Sequence, residues 1–364
     1  MKVYTCGNCQ SLIYFENHIC LKCRFPLGFE AETLSMVTLV AENNNQYAHI
    51  GNRNQKFQYC KNVEYSTCNW LIPVDQHSVF CQACNLNRII PDLKQDENLK
   101  RWKNIEAAKH RLVYSLLRLH LPVTRKIGTE EEGIAFDFLA ETNVTDKVLT
   151  GHDLGTITLN IDEADEAERV RHKADLGEKY RTLLGHFRHE IGHYYWELLI
   201  KDSENLERYR AIFGDERGDY SIALEKYYKN GAPANWSENF ISPYATSHSW
   251  EDWAETWAHY LHLMDTLETA FSFGIHIHPE TEKNVLGTLA NIKQDPYEIL
   301  DFKQIFKSWL PLTFAVNSLN RSMGYSDFYP FIIPEPVVEK LLFIHELCLS
   351  QHQVKTKSNL AEVC

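Results

Sequence analysis

Residues 186–199 read HFRHEIGHYYWELL, and three of them carry a chemistry. His189 and His193 stand four apart, with Glu190 directly after the first. On an α-helix, positions i and i+4 share a face, so two imidazoles at this spacing can reach one ion. A glutamate beside that face can take a proton from an ion-activated water, the His-Glu-x-x-His logic of zinc hydrolases. The five-residue string also arises by chance in unrelated helices. A hydrolytic site needs a third protein ligand and room for water.

A second stretch, SHSWEDWAETWAHYLHL at 247–263, supplies carboxylates. Ser249 is the expected helix cap, with Asp252 three residues on in an approximate capping box. Glu251 and Glu255 then share a face, with His259 and His262 close to it, while Trp250, Trp253, Trp257 and Leu261 supply apolar bulk elsewhere. A face of acids and histidines is a poor core stripe and calls for a cation. Glu251 is the expected third ligand, and Glu255 the acceptor of the outer ring proton of a ligand histidine. The reverse assignment stays open. Tyr244, His248 and His259 are candidate donors to an oxyanion. Asp215, Glu216, Arg217 and Asp219 in FGDERGDY could orient His189 or His193 or brace the loop; a solvated charged turn is the commoner outcome. His186 is expected to support a neighbour or pack neutrally. Gly192 costs the helix roughly 1 kcal/mol relative to Ala, which makes sense if another element comes close.

The cysteines form two groups. CGNC (Cys6, Cys9) and CLKC (Cys20, Cys23) are paired knuckles able to hold one tetrahedral zinc. Cys60, Cys68 and then CQAC (Cys81, Cys84) make a looser second set. Redox dithiols or scattered buried thiols are the alternative. Two structural zinc ions, together with one catalytic ion, are expected; Cys348 and Cys364 are read as ordinary thiols.

These groups need elements to hold them. Residues 41–56 read as a connection or hairpin between two zinc ribbons. Apolar residues from Leu99 to Leu117 follow one helical face over 97–121, a helix that Pro122 stops and that is expected to open the second domain. GIAFDFLA (133–140) and GTITLNI (155–161) read as strands, and the acidic stretch 162–180 as a loop or exposed helix. Beyond 264 two helices are expected, the first kinked or broken at Pro311. Between them the aromatic, proline-rich 325–336 reads as a wall. The tail after Gln351 is expected to fray. The fold class is α+β: a mainly helical domain with a small mixed sheet over 97–364, preceded by β-rich ribbons at 1–40 and 41–96.

Bulk properties exclude other classes. The 364 residues are 44% hydrophobic and 24% charged, normal for a globular chain. The net charge is −12, while residues 1–96 hold eight basic and eight acidic side chains. No basic footprint is visible, so nucleic acid is not an expected partner. No run of 18 apolar residues occurs, and Cys6 is reached without an apolar leader core, so a reducing, cytoplasmic location is expected.

HFRHEIGHYYW (186–196), FGDERGDYSIAL (213–224) and SPYATSHSWEDWAETWAHYLH (242–262) together resemble the zincin-type metallopeptidases. The resemblance is to predicted bacterial zinc-binding metallopeptidases with N-terminal zinc ribbons. In that family the residue after the histidine of the last motif is typically proline; here it is Ser249. The resemblance implies peptide-bond hydrolysis with Glu190 as general base, acting on a peptide or protein. It also implies an edge strand above the cleft, for which GTITLNI is the candidate. Two alternatives remain: a ribbon adaptor whose zincin domain only binds, and a protease acting on nucleic-acid-bound proteins. The ribbons are a candidate surface for a protein partner.

Overall fold

The computed structural model describes residues 1–128, 132–141, 148, 150–166, 168–169, 182–280 and 289–361, with side chains through 351. Most of the acidic segment expected at 162–180, and Cys364, lie outside them. The fold is α+β, strand-rich at the N-terminus and helical thereafter. It divides into two compact units, Met1–Arg118 with Pro122–His172, and Leu119–Leu121 with Lys173–Cys364.

The first unit begins with a hairpin of β1 (Tyr4–Thr5) and β2 (Leu12–Ile13). A five-stranded antiparallel sheet follows, in the order β3 (Leu27–Glu30), β4 (Ser35–Ala41), β5 (Tyr47–His49), β6 (Asn52–Tyr59) and β7 (Leu71–Pro73). Val37, Leu39, Phe57 and Leu71 form its buried cluster. The ribbon boundary expected at residue 40 falls inside β4. The two cysteine regions are also tied together: Asn69 Nδ2 donates to the carbonyls of Phe15 at 2.7 Å and Asn17 at 3.0 Å.

Helix α1 (Asp96–Arg118) falls in this compact unit. Its inner face packs on the aromatic core. Tyr114 meets Phe15 at 5.4 Å between ring centres, and His110 meets Trp70 at 5.3 Å. The same helix places Lys109 over Phe136 and Phe138. Those phenylalanines lie on β9 (Ala135–Leu139), in a mixed sheet ordered β10 (Gly151–Asp153), β11 (Thr156–Asn160), β9, β8 (Asn87–Ile89). Here the expected edge strand is corrected. GTITLNI forms β11, which pairs with β10 on one side and β9 on the other, so its backbone groups are already used.

The second unit is helical. It contains α2 (Leu183–Leu199), α3 (Leu206–Phe213), α4 (Tyr220–Asn230), α5 (Ser249–Ser272), α6 (Phe302–Ser322) and α7 (Glu335–Ala361). Aromatic side chains fill its centre: Tyr195 stacks on Trp257 at 5.1 Å, and Trp253 contacts Phe213 and Phe343. Pro311 does not end α6, which continues eleven residues beyond it. Helix α7 runs past Gln351 to Ala361. The 325–336 stretch forms no strand, and Tyr329 and Phe331 pack on His259. Among the described residues, no helix is long and apolar enough to cross a membrane.

Candidate metal centre

The site forms where α2 crosses α5, and Gly192 permits the approach. A Cβ there would lie 3.2 Å from the Ala254 Cα and 3.2 Å from the Trp257 ring, too tight for a backbone that cannot move aside. The Gly192 carbonyl instead accepts the Trp253 indole N–H at 2.8 Å. The helix-breaking residue is therefore a packing notch, set between the two histidines.

Across this contact the ligand atoms of His189, His193 and Glu251 lie within 4.8 Å of one another. His189 Nε2 is 3.0 Å from Glu251 Oε2, and His193 Nε2 is 3.7 Å from Glu251 Oε1. A tetrahedral zinc with bonds of ~2.0–2.1 Å separates its ligand atoms by roughly 3.3 Å, so this donor set fits zinc. His193 and Glu251 are buried, and the His189 side chain is 12% exposed. Burial pushes the Glu251 carboxyl up, but the imidazoles of His193 and His189 outweigh it and hold it at about 2. Burial opposes charge on His189 as well, yet Glu251 and Glu255 raise it well above its ordinary value. So many buried acids around two imidazoles are balanced best by a cation.

Glu255 is used differently. Its Oε1 lies 2.7 Å from His189 Nδ1, and its Oε2 accepts the Ser242 hydroxyl at 2.7 Å. Ser242 in turn accepts the Ala245 N–H at 3.1 Å, so the 242–245 turn helps to orient the histidine. Glu190 is buried beside the cluster, with its Oε1 3.1 Å from His186 Nε2. Burial would raise Glu190, but His186 outweighs it and lowers the carboxyl below its usual range.

Other candidates separate. Ser249 is not the cap of α5. His248 is, its Nδ1 accepting the Trp250 N–H at 3.1 Å while its Nε2 meets the Gly218 carbonyl at 3.3 Å. Both nitrogens of the proposed oxyanion donor are thus committed to the loop. The Tyr244 ring sits 6.0 Å from that of His189. His259 is two turns beyond Glu251, roughly 12 Å along the helix. It faces Tyr329, with 2.7 Å between Nδ1 and the hydroxyl, and burial lowers it to about 4. His262 pairs with Arg188 at 2.5 Å. The charged turn braces itself: Asp215 holds Arg217, Glu216 holds Arg210, and Asp219 caps α4. Tyr220, just after it, is the residue that sequence reasoning passed over. Its hydroxyl donates to Glu251 Oε1 at 2.5 Å. The only sequence signal was its place in the charged motif.

The cysteines of the first unit converge as well. Each set of four, Cys6–Cys9–Cys20–Cys23 and Cys60–Cys68–Cys81–Cys84, has its sulfurs within 4.8 Å. Cys6–Cys23 and Cys9–Cys20 are 3.6 Å apart, and Cys68–Cys81 3.7 Å. These are far too long for disulfides and close to the roughly 3.8 Å between thiolates on one zinc. The second set reaches α1: Cys84 lies 3.5 Å from both His110 Nε2 and Glu106 Oε2. Glu106 is paired with Lys109 at 2.8 Å, both side chains wholly buried. Cys348 is buried too, which pushes its thiol far up and leaves it inert.

With two imidazoles and a carboxylate on crossed helices, and two four-thiolate clusters before them, comparison with known proteins is direct. Residues 98–347 match the model of a family described as putative zinc-binding metallo-peptidase, and the chain belongs to that family. Residues 3–95 match a zinc-ribbon domain. The chain is 39% identical over 347 residues to uncharacterized proteins of Mycobacterium bovis and Mycobacterium tuberculosis, covering 95% of this chain and 94% of theirs. No solved structure matches it.

Proposed function

We propose that this chain is a zinc-dependent metallopeptidase holding three zinc ions, one catalytic and two structural. The observation that carries the reading is the convergence of His189 Nε2, His193 Nε2 and the Glu251 carboxylate, with Glu190 buried alongside. His189, His193 and Glu251 hold the catalytic ion, and Glu255 supports His189. When bound, zinc polarises a carbonyl oxygen and lowers the pKa of water toward ~7. Glu190 takes the proton of the attacking water and delivers it to the leaving amine. His186 holds one oxygen of Glu190, leaving the other for that proton. Tyr244 is assigned the donor to the developing oxyanion, ahead of His248 with its engaged nitrogens.

The substrate class is a peptide or protein. Eight thiolates committed to metal suit a reducing, cytoplasmic setting. The ribbons are assigned to structure, with a protein partner as their additional role. Zinc-loaded protein incubated with denatured casein tests the reading. Glu190→Gln should lower hydrolysis by ~10²–10⁴-fold with zinc content unchanged. His189→Ala should reduce three zinc per chain to two. Equal hydrolysis by wild type and Glu190→Gln overturns the assignment.

A further inference from the structure

Tyr220 belongs to neither of the crossed helices that carry the metal-binding groups. It is the first residue of α4, yet its phenol donates to Glu251 Oε1 at 2.5 Å. The ring is held edge-on by two residues from the start of α5, His248 at 5.4 Å and Trp250 at 5.7 Å. The backbone around it is fixed from both sides. Asp219 caps α4 by accepting the Ile222 N–H at 2.9 Å. The Gly218 carbonyl faces His248 Nε2 at 3.3 Å. Because His248 Nδ1 accepts from the Trp250 N–H, the ring proton sits on Nε2, and a single tautomer satisfies both contacts.

The 218–220 turn and the start of α5 therefore form one latch that presents a hydroxyl to Glu251. A buried glutamate has two equivalent oxygens and a soft terminal torsion. A phenol on Oε1 selects one orientation, the one that turns Oε2 toward His189 Nε2 at 3.0 Å. Donors of this kind fix ligand orientation before the metal arrives, and losing one costs ~10–100-fold in metal affinity.

We propose that Tyr220 is a positioning residue for the third metal ligand, and that His248 acts through it by anchoring Gly218. The FGDERGDY and SHSWE segments thereby set the affinity of the centre. This rests on the reading of Glu251 as a zinc ligand, and the experiment separates the two.

Metal-free protein is titrated with zinc against a chromophoric chelator, comparing wild type, Tyr220→Phe, His248→Asn and Glu251→Gln. Tyr220→Phe keeps the ring and should saturate with the same number of zinc ions, one of them bound ~10–100-fold more weakly. Its thermal midpoint when fully loaded should not move. His248→Asn can still cap α5 but is too short to reach Gly218, and should weaken the same ion by a smaller factor. Unchanged affinity in Tyr220→Phe, while Glu251→Gln loses an ion, overturns this proposal alone. Unchanged binding in Glu251→Gln overturns both it and the ligand assignment.

Discussion

The cysteine centres of the first unit and the histidine–glutamate centre of the second are built in opposite ways. Cys6 to Cys23 and Cys60 to Cys84 are short spans, so each set draws four like ligands from neighbouring turns. The other centre takes two imidazoles from α2 and one carboxylate from α5, 58 residues beyond His193. Four thiolates would close the coordination of a zinc ion, whereas three mixed ligands would leave a position open. Their surroundings differ accordingly. Beside Cys84 stands a wholly buried Lys109–Glu106 pair, a structural counter-charge. Beside His189 and His193 stand His186 and Glu190, an imidazole and a carboxylate 3.1 Å apart.

If that contrast holds, Cys68→Ser should have the largest effect on the molecule. It removes a ligand from a centre whose folding contribution is on the order of 10 kcal/mol. Zinc content should fall by one, and limited proteolysis should open sites within 60–84. Retention of both would show that the second cysteine set is not a metal centre. Lys109→Met comes next. It leaves Glu106 buried without its counter-ion, and should destabilise the first unit by about 3–5 kcal/mol in chemical denaturation. Hydrolysis measured under folding conditions should change little. The smallest effect sharpens the contrast from the other side. His186→Ala should leave zinc content and thermal stability unaltered but lower kcat by roughly tenfold through a less well-held Glu190, with His186→Gln restoring part of the loss. A change in stability instead of kcat would make His186 a packing residue.

Much of the centre was legible because its signals are periodic or local. His189 and His193 at i and i+4, and the Cys-x-x-Cys knuckles, can be read without tertiary information. Gly192 announced a close neighbour, and the neighbour is Ala254 and Trp257 on α5. Other readings missed for equally physical reasons. The helix cap went to His248 instead of Ser249 because the helix begins one residue earlier, where an imidazole nitrogen accepts the Trp250 N–H. GTITLNI was read correctly as a strand but wrongly as an edge, since pairing partners are not written in a strand's own residues. What helix α1 covers was not legible either, because an apolar stripe does not reveal its partner. Glu106, Lys109 and His110 on its buried face mark it as part of the second cysteine region.

The amino-acid sequence alone determined which residues could bind metal, since ligand type and helical spacing are local properties of the chain. Only the tertiary structure decided which glutamate meets the imidazoles and which one holds His189 from behind. Glu251 and Glu255 are one turn apart on the same helix face, and a pattern repeating every turn cannot distinguish them. The choice is made by where α2 crosses α5, and the close approach there is at Gly192.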